Sequence, residues 1–163
     1  MKPTLFSIDH PGPGHLSTMA KPRGGDWLSD EMVALRRAGV DVIVSALTAM
    51  ESQEVGLEAE AHEATSAAVH FLALPIADRD VPDADVAMPV LDALDRHLLR
   101  GDHVVIHCRF GIGRASLIAA ALLVRAVLAP DDAWSRVGRA RGLAVPDTDA
   151  QRQWVADRIS PRT

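Results

Sequence analysis

The sequence contains a single cysteine, no tyrosine, three tryptophans and three phenylalanines. One cysteine excludes an internal disulfide framework and a two-cysteine redox pair. So few aromatic rings leave little material for the stacking platforms that bind single-stranded nucleic acid. The 17 Lys and Arg residues are outnumbered by 22 Asp and Glu residues, which gives a formal charge of −5. This balance argues against nucleic acid and acidic membranes as partners, because both require a basic face.

Long hydrophobic runs are also missing. No stretch approaches ~18 apolar residues without a charge, so the sequence predicts no membrane span. The longest candidate, residues 117–128, is too short and is interrupted by Arg125. The N-terminal residues show no apolar stretch of the kind found in secretory signals. Together with the lone thiol, these features favour a cytoplasmic protein.

What the chain does contain is the pattern of one α/β domain. The length of 163 residues and the 48% hydrophobic content predict a single domain over residues 1–163 with a substantial core. Short apolar runs alternate with helical patterns, which predicts a central, mostly parallel sheet of about five strands flanked by helices. The expected strands are 4–7, 15–19, 40–47, 69–74 and 103–107. The expected helices are 26–38, 48–65, 88–101, 116–128, 131–141 and a last one from 150.

Three of these helix boundaries depend on particular residues. Asp26 is the expected N-cap of the first helix. Thr48 and Glu51 form a capping-box pattern, which predicts one helix from there to about residue 65. Pro89 fits the first turn of a helix better than its interior, which predicts a start near residue 88.

The segment from His107 to Ser116 joins a predicted strand to a predicted helix. Such a junction presents backbone N–H groups and the positive end of the helix dipole, which together can bind an anion. Gly111 and Gly113 allow the chain to bend so that several N–H groups converge. Five residues separate Cys108 from Arg114. This Cys-x5-Arg spacing predicts a sulfur below the bound anion and a guanidinium that can hold two phosphate oxygens.

Cys108 is therefore predicted to be a nucleophile. A cysteine at a helix N-terminus is often ionised near neutral pH, and a thiolate below bound phosphate implies transfer through a phosphocysteine. Taken alone, a single cysteine is more often a small buried apolar residue. The order of strand, cysteine, glycines, arginine and helix favours the nucleophile. Nucleotide-binding loops fit less well, because a serine occupies the place of the third glycine and no Gly-x4-Gly-Lys-[Ser/Thr] motif is present.

The segment HCRFGIGR resembles the active-site loop of the cysteine-dependent protein tyrosine and dual-specificity phosphatases, whose pattern is His-Cys-x2-Gly-x2-Arg-[Ser/Thr]. PRGGDWL, GVDVIVSAL, PIADRDVP and TDAQRQWV resemble further segments of small bacterial members, so the resemblance covers most of the chain. It implies Cys108 as nucleophile and Arg114 as transition-state clamp. His107 is expected either to orient the cysteine or to be an ordinary strand-end histidine. The implied substrate-binding residues are Arg109, Phe110, Gly111, Ile112, Gly113 and Arg114.

The leaving oxygen of a phosphate ester needs a proton, which a carboxyl group on a mobile loop can supply. The candidates in the loop after residue 74 are Asp78, Asp80, Asp83 and Asp85. The residues alone do not choose among them. The resemblance favours Asp78, in its Pro-Ile-x-Asp context, with Asp80 as the reserve. It also implies that Gln151 positions the water that hydrolyses the phosphocysteine, although a glutamine on a helix surface is equally expected.

One position departs from the family pattern. Ala115 stands where the family usually has Ser or Thr, whose hydroxyl donates a hydrogen bond to the cysteine sulfur. Ser116 lies one position further on and either replaces that hydroxyl or faces elsewhere. The departure predicts slow breakdown of the phosphoenzyme.

The substrate predicted by the loop is a phosphorylated protein or a small phosphate ester. Phe110 and Ile112 are uncharged, which argues against phosphoinositides, while Arg109 and Arg79 provide cations near the opening. The short chain favours a shallow site that accepts phosphotyrosine and phosphoserine or phosphothreonine. No metal or other cofactor is expected, because the loop amides and the arginine balance the charge. A monomer is the default expectation.

Three other functions are compatible with parts of the sequence. A catalytically weak phosphate-reading module is supported only by Ala115. A sulfurtransferase also uses a loop cysteine to hold an anion, but it has no use for an acid at Asp78. A plain interaction domain predicts an unreactive thiol.

Overall fold

The structure, a computed structural model, describes residues 2–162 and contains one five-stranded sheet. The strand order is β1-β2-β5-β3-β4; β1 runs antiparallel to β2, and the other neighbouring pairs are parallel. The strands are β1 Phe6–Ile8, β2 His15–Met19, β3 Val42–Ser45, β4 His70–Ala73 and β5 His103–His107. The predicted, mostly parallel sheet with flanking helices is confirmed.

Helices cover both faces of the sheet. They are α1 Leu28–Arg37, α2 Ala49–Glu54, α3 Glu60–Ser66, α4 Ala84–Leu99, α5 Arg114–Arg125, α6 Pro130–Arg141 and α7 Asp149–Arg158. Apolar residues of α4, α5, α6 and α7 form one core cluster, and those of α1 and α3 belong to a second. Within residues 2–162, no helix combines the length and the apolar character needed to cross a bilayer.

The central strand β5 separates the two clusters. Val104 and Ile106 contact the larger cluster, whereas Val105 contacts the smaller one, because successive side chains of a strand point to opposite faces. All three are fully buried. Burial on both faces explains why this segment is a continuous apolar run.

The single helix predicted for 48–65 is wrong, because this segment forms α2 and α3 separately. The capping box of Thr48 and Glu51 begins α2 as predicted. Gly56 then adopts a φ of +73°, and its carbonyl accepts a hydrogen bond of 2.9 Å from the backbone N–H of Gly25. A left-handed residue bonded to a neighbouring segment interrupts the helix.

Other predicted boundaries also move. Asp83 caps α4 by accepting a hydrogen bond of 2.8 Å from the backbone N–H of Asp85, so Pro89 lies inside the helix instead of in its first turn. The strong cap and the buried face of α4 outweigh the backbone bond that the proline removes. A 3-10 turn at Gly25–Trp27 precedes α1, so Asp26 is not its N-cap. The first strand lies at Phe6–Ile8 instead of 4–7.

The topology brings three loops to one edge of the sheet. Because β3, β4 and β5 are parallel, the segments that follow their carboxyl ends meet there. The segment after β3 carries Glu51, the segment after β4 carries Asp78, and the segment after β5 carries Cys108. This edge is where open α/β sheets usually bind ligands.

Candidate active site

The segment between β5 and α5, residues 108–113, packs closely on the end of β2. Gly111 has a φ of +73°, and a Cβ at this position would lie 2.7 Å from the carbonyl oxygen of Met19. The backbone N–H of Lys21 donates a hydrogen bond of 3.1 Å to the carbonyl oxygen of Arg109. Both the conformation and the space at position 111 therefore require glycine, which fixes the path of the loop.

This loop surrounds a small cavity of about 50 Å³ at the N-terminus of α5. Among the described residues, no side chain caps the first N–H groups of α5, which remain available to an anion. Cys108 is buried at this cavity, whereas Phe110 is 65% exposed. The lining residues are Asp78, Cys108, Arg109, Phe110, Ile112, Gly113, Arg114 and Asp147.

Arg114 is buried and held by two partners. Its Nη1 and Nη2 donate hydrogen bonds of 2.6 Å and 3.0 Å to the two carboxylate oxygens of Glu51. Nη1 also donates to the carbonyl oxygen of Ile76 at 2.8 Å. This two-point contact fixes the plane of the guanidinium at the cavity.

The same contact secures the charge of both partners. Burial alone would lower the pKa of Arg114, but the hydrogen bonds and charge of Glu51 more than compensate, and the pKa is raised. The hydrogen bond from Arg114 lowers the pKa of Glu51 below its ordinary value. The Arg114 guanidinium and the Glu51 carboxylate therefore both stay charged near neutral pH.

Asp78 lies at the opening of the cavity. Its carboxylate is 71% exposed, and one oxygen is 3.6 Å from Nη2 of Arg114. Asp80 lies outside the cavity lining, and its carboxylate accepts a hydrogen bond of 2.8 Å from the backbone N–H of Val81. Of these two aspartates, Asp78 is the one that can reach a group bound in the cavity.

His107 and Glu60 form a buried pair behind the cysteine. The His107 Nε2 atom is 2.6 Å from a carboxylate oxygen of Glu60, and Nδ1 is 3.1 Å from the carbonyl oxygen of Cys108. Both side chains are almost completely buried. The histidine therefore joins the start of the loop to the first residue of α3.

The sequence profile of a known family matches most of this chain. The profile of the polymorphic toxin system DSP-PTPase phosphatases matches residues 17–127, which is more than half of the chain and includes the whole loop from Cys108 to Arg114. The chain belongs to this family. The resemblance of HCRFGIGR to dual-specificity and tyrosine phosphatases is confirmed, and the protein is a hydrolase of that class with a phosphorylated substrate.

Solved phosphatase structures share the fold of this phosphatase. Kinase associated phosphatase (KAP), with its catalytic-site cysteine changed to serine, has a TM-score of 0.86 at 19% identity, covering 95% of this chain and 93% of its own. Tk-PTP in its active form has a TM-score of 0.79 at 23% identity, covering 96% of this chain and 97% of its own. A protein tyrosine phosphatase from Leishmania major has a TM-score of 0.75 at 22% identity, covering 96% of this chain and 98% of its own. No curated protein matches the chain at a significant level. These findings give no support to the phosphate-reading or sulfurtransferase alternatives.

Gln151 lies outside the cavity of this phosphatase. Its side chain is fully buried and joins two loops. Nε2 donates a hydrogen bond of 3.1 Å to the carbonyl oxygen of Asp80, and Oε1 accepts one of 3.1 Å from the backbone N–H of Asp147. Ser116 is also buried, and its hydroxyl has no hydrogen-bond partner within residues 2–162. The structure thus places Gln151 where it joins the loop of Asp78 to the segment before α7.

Three acidic residues of the site were not predicted as functional from the sequence. Glu51 appears in the sequence only as a capping residue. Glu60 and Asp147 carry no local signal, since each reaches the loop through the tertiary fold. The Asp147 carboxylate lies so close to Gly113 that a Cβ on that glycine would collide with it. Asp147 thereby provides a second carboxylate at the cavity opening, beside Asp78.

Proposed function

We propose that this phosphatase hydrolyses phosphate monoesters of tyrosine and of serine or threonine through a phosphocysteine on Cys108. The observation that carries the proposal is the convergence of Cys108, Arg114 and the N-terminus of α5 on one small cavity. A sulfur nucleophile and a fixed guanidinium at an anion-binding helix end are what phosphoryl transfer to cysteine requires.

In the first step, the Cys108 sulfur attacks phosphorus and the bond from phosphorus to the ester oxygen breaks. Asp78 gives its proton to the leaving oxygen. Arg114 and the backbone N–H groups of the loop bind the equatorial phosphate oxygens, whose charge increases in the transition state. The rigid contact of Arg114 with Glu51 supports this role, because the guanidinium needs no reorganisation during the reaction.

In the second step, water attacks the phosphocysteine, the sulfur–phosphorus bond breaks and inorganic phosphate leaves. The water loses its proton to the carboxylate that Asp78 became in the first step. Gln151 contributes by holding the Asp78 loop in place through the Asp80 carbonyl. The buried position of its amide supports this indirect role.

The small size of the cavity supports a broad range of phosphorylated residues. The cavity itself holds little more than an anion, and the exposed Phe110 ring stands at its edge. Arg109 donates a hydrogen bond of 3.1 Å to Glu54, so part of its charge is already balanced. We test the proposal with p-nitrophenyl phosphate and phosphotyrosine, phosphoserine and phosphothreonine peptides, with inorganic phosphate release as the readout. Turnover of the phosphotyrosine peptide and of a phosphoserine or phosphothreonine peptide supports the proposal; turnover of one class alone contradicts the broad specificity, and no turnover of any phosphomonoester contradicts the whole proposal.

Asp78→Asn is expected to lower kcat/KM, which reports formation of the phosphoenzyme, about 100-fold for phosphoserine peptides, because their alkoxide leaving group needs a proton. The loss with p-nitrophenyl phosphate is expected to be smaller, about tenfold or less, because p-nitrophenolate leaves without one. Steady-state kinetics on both substrates measure the difference. Asp80→Asn is the matched control, and a larger loss in that variant than in Asp78→Asn would move the acid to Asp80.

Ala115→Ser is expected to accelerate breakdown of the phosphoenzyme. A hydroxyl bonded to a charged sulfur contributes ~1.5–3 kcal/mol, which corresponds to about 10- to 100-fold in rate. In stopped-flow experiments, the wild type is expected to show a burst of p-nitrophenol, and the variant a smaller burst with a faster steady state. Ser116→Ala is the control. A wild type without a burst would show that breakdown is not slow.

A further inference from the structure

A second cavity adjoins the active-site loop. Its volume is about 300 Å³, and it is formed by the N-terminal segment, the residues around the end of β2 and the end of α6. We propose that this second cavity binds acidic side chains of the substrate, close to the phosphorylated residue. The inference rests on the proposed function, and it adds a preference for phosphorylated proteins with acidic residues around the phosphate.

The charged residues of the second cavity are mostly basic. They are Lys2, Lys21, Arg23 and Arg141, with Glu31 as the single acid. Glu31 accepts hydrogen bonds from the Nε atom and the backbone N–H of Arg23, so these two charges balance each other. Within residues 2–162, the side chains of Lys2, Lys21 and Arg141 form no ion pair with a carboxylate. The cavity is thus positively charged in a chain whose formal charge is −5.

Arg141 is held in place at the boundary of the second cavity. Its guanidinium carbon lies 4.3 Å from the centroid of the Phe6 ring, and Nη2 donates a hydrogen bond of 3.2 Å to the carbonyl oxygen of Phe110. The Nε atom is buried and has no hydrogen-bond partner among the described residues. A guanidinium that is already fixed and keeps an unused donor can bind a carboxylate with little loss of conformational freedom.

Two residues of the active-site loop connect the two cavities. Arg109 and Phe110 line the active-site cavity. Their carbonyl oxygens accept hydrogen bonds of 3.1 Å from the backbone N–H of Lys21 and of 3.2 Å from Arg141, and both donors belong to residues of the second cavity. An extended chain advances about 3.3–3.6 Å per residue. A peptide whose phosphate lies at Cys108 can therefore place a side chain a few residues away in the second cavity.

The other charged groups at the opening are less suited to an acidic peptide. Asp78 and Asp147 line the active-site cavity and are themselves carboxylates. Arg109 already donates a hydrogen bond to the carboxylate of Glu54. Acidic side chains of a substrate are therefore repelled by the two aspartates and attracted by the unpaired cations of the second cavity.

Two phosphopeptides that differ only in their flanking residues test the inference. One has glutamates on both sides of the phosphorylated residue, and the other has glutamines at the same positions. The phosphorylated residue is the type that the wild type hydrolyses fastest. We expect kcat/KM of the wild type to be about tenfold higher for the glutamate peptide, which is the range of a few exposed ion pairs. The difference is expected in KM and not in kcat, because the contacts lie away from the reacting atoms.

Lys21→Glu is expected to reduce this tenfold ratio to about twofold or less, because it places a negative charge in the second cavity. The ratio between the two peptides cancels any general change in activity. Arg96→Glu is the matched control, since Arg96 is exposed on α4 and does not line either cavity. It makes the same change in net charge and is expected to keep the ratio of the wild type.

Equal kcat/KM values of the wild type for the two peptides would overturn the inference. So would a preference that Lys21→Glu and Arg96→Glu change to the same extent, because the effect would then come from net charge and not from the cavity. Both results leave the proposed function standing, since the peptides are still hydrolysed. A wild type that hydrolyses neither peptide nor p-nitrophenyl phosphate would instead contradict the proposed function and the inference together. If Lys21→Glu does not fold, Lys21→Gln and Arg96→Gln replace the pair, with a smaller loss of the ratio expected for the first.

Discussion

Replacing Cys108 by serine is expected to reduce phosphatase turnover by about 10⁴-fold or more, because a neutral hydroxyl is a far weaker nucleophile than a thiolate. The chain has no other cysteine that could take over the reaction. The two side chains are similar in size, and Cys108 is buried within a tightly packed loop, so the fold and the phosphate site should persist. Initial rates with p-nitrophenyl phosphate measure the loss.

The control for this variant is phosphate binding, which shows that a loss of turnover does not come from a lost phosphate site. Cys108→Ser is expected to bind inorganic phosphate through Arg114 and the N–H groups of α5, which phosphorus NMR titration can follow. Retention of more than roughly a tenth of the wild-type rate by a folded variant would mean that another group attacks phosphorus.

Arg114→Lys is expected to lower kcat/KM by about 1000-fold, within the range found when a transition-state donor is lost. Lysine retains the charge, but it cannot bind both oxygens of Glu51 and two phosphate oxygens with one planar group. The variant also loses the fixed geometry given by the bonds to Glu51 and to the carbonyl of Ile76. Steady-state kinetics at pH 7 measure the effect.

Arg37→Lys is the matched control, because Arg37 is exposed on α1 and far in sequence from the loop. It is expected to leave the kinetic constants unchanged. Thermal unfolding of both variants separates a catalytic loss from a folding defect. An Arg114→Lys enzyme with nearly wild-type kcat/KM would show that charge alone is sufficient at this position.

The central part of the site could be predicted from the sequence because its signals are local. The Cys108 to Arg114 spacing, the glycines between them and the strand before them all lie within one short segment, whose geometry depends on backbone preferences. The residues alone could not single out Asp78, because four aspartates share its loop. The choice came from the family resemblance. The structure places Asp78, and not Asp80, at the cavity.

The partners of these residues could not be predicted in the same way. Glu51 satisfies a helix cap, and that local role hides its contact with Arg114. Glu60 is a buried acid, which hydrophobic patterning does not anticipate. The break between α2 and α3 could not be predicted either, because it depends on a tertiary contact. Gly56 bonds to Gly25, and a contact between distant segments overrides the helical tendency of residues 48–65.

The predicted role of Gln151 in positioning the hydrolytic water stays a prediction, whereas its helix and the contacts of its side chain are observed. The last helix lies about where it was expected, and Thr148 caps it by accepting a hydrogen bond of 3.2 Å from the backbone N–H of Gln151. The side chain turns inward and joins the loops of Asp80 and Asp147. A sequence motif gives the helix position, whereas the direction of the amide depends on packing.

The most direct test of the account is to trap the covalent intermediate. The wild type is mixed with p-nitrophenyl phosphate, quenched within the burst phase and digested, and the peptides are analysed by mass spectrometry. We predict phosphate on the peptide that contains Cys108, and its absence when Cys108→Ser is treated identically. Turnover accompanied by an unmodified Cys108 peptide, or by phosphate on a different residue, would contradict the account.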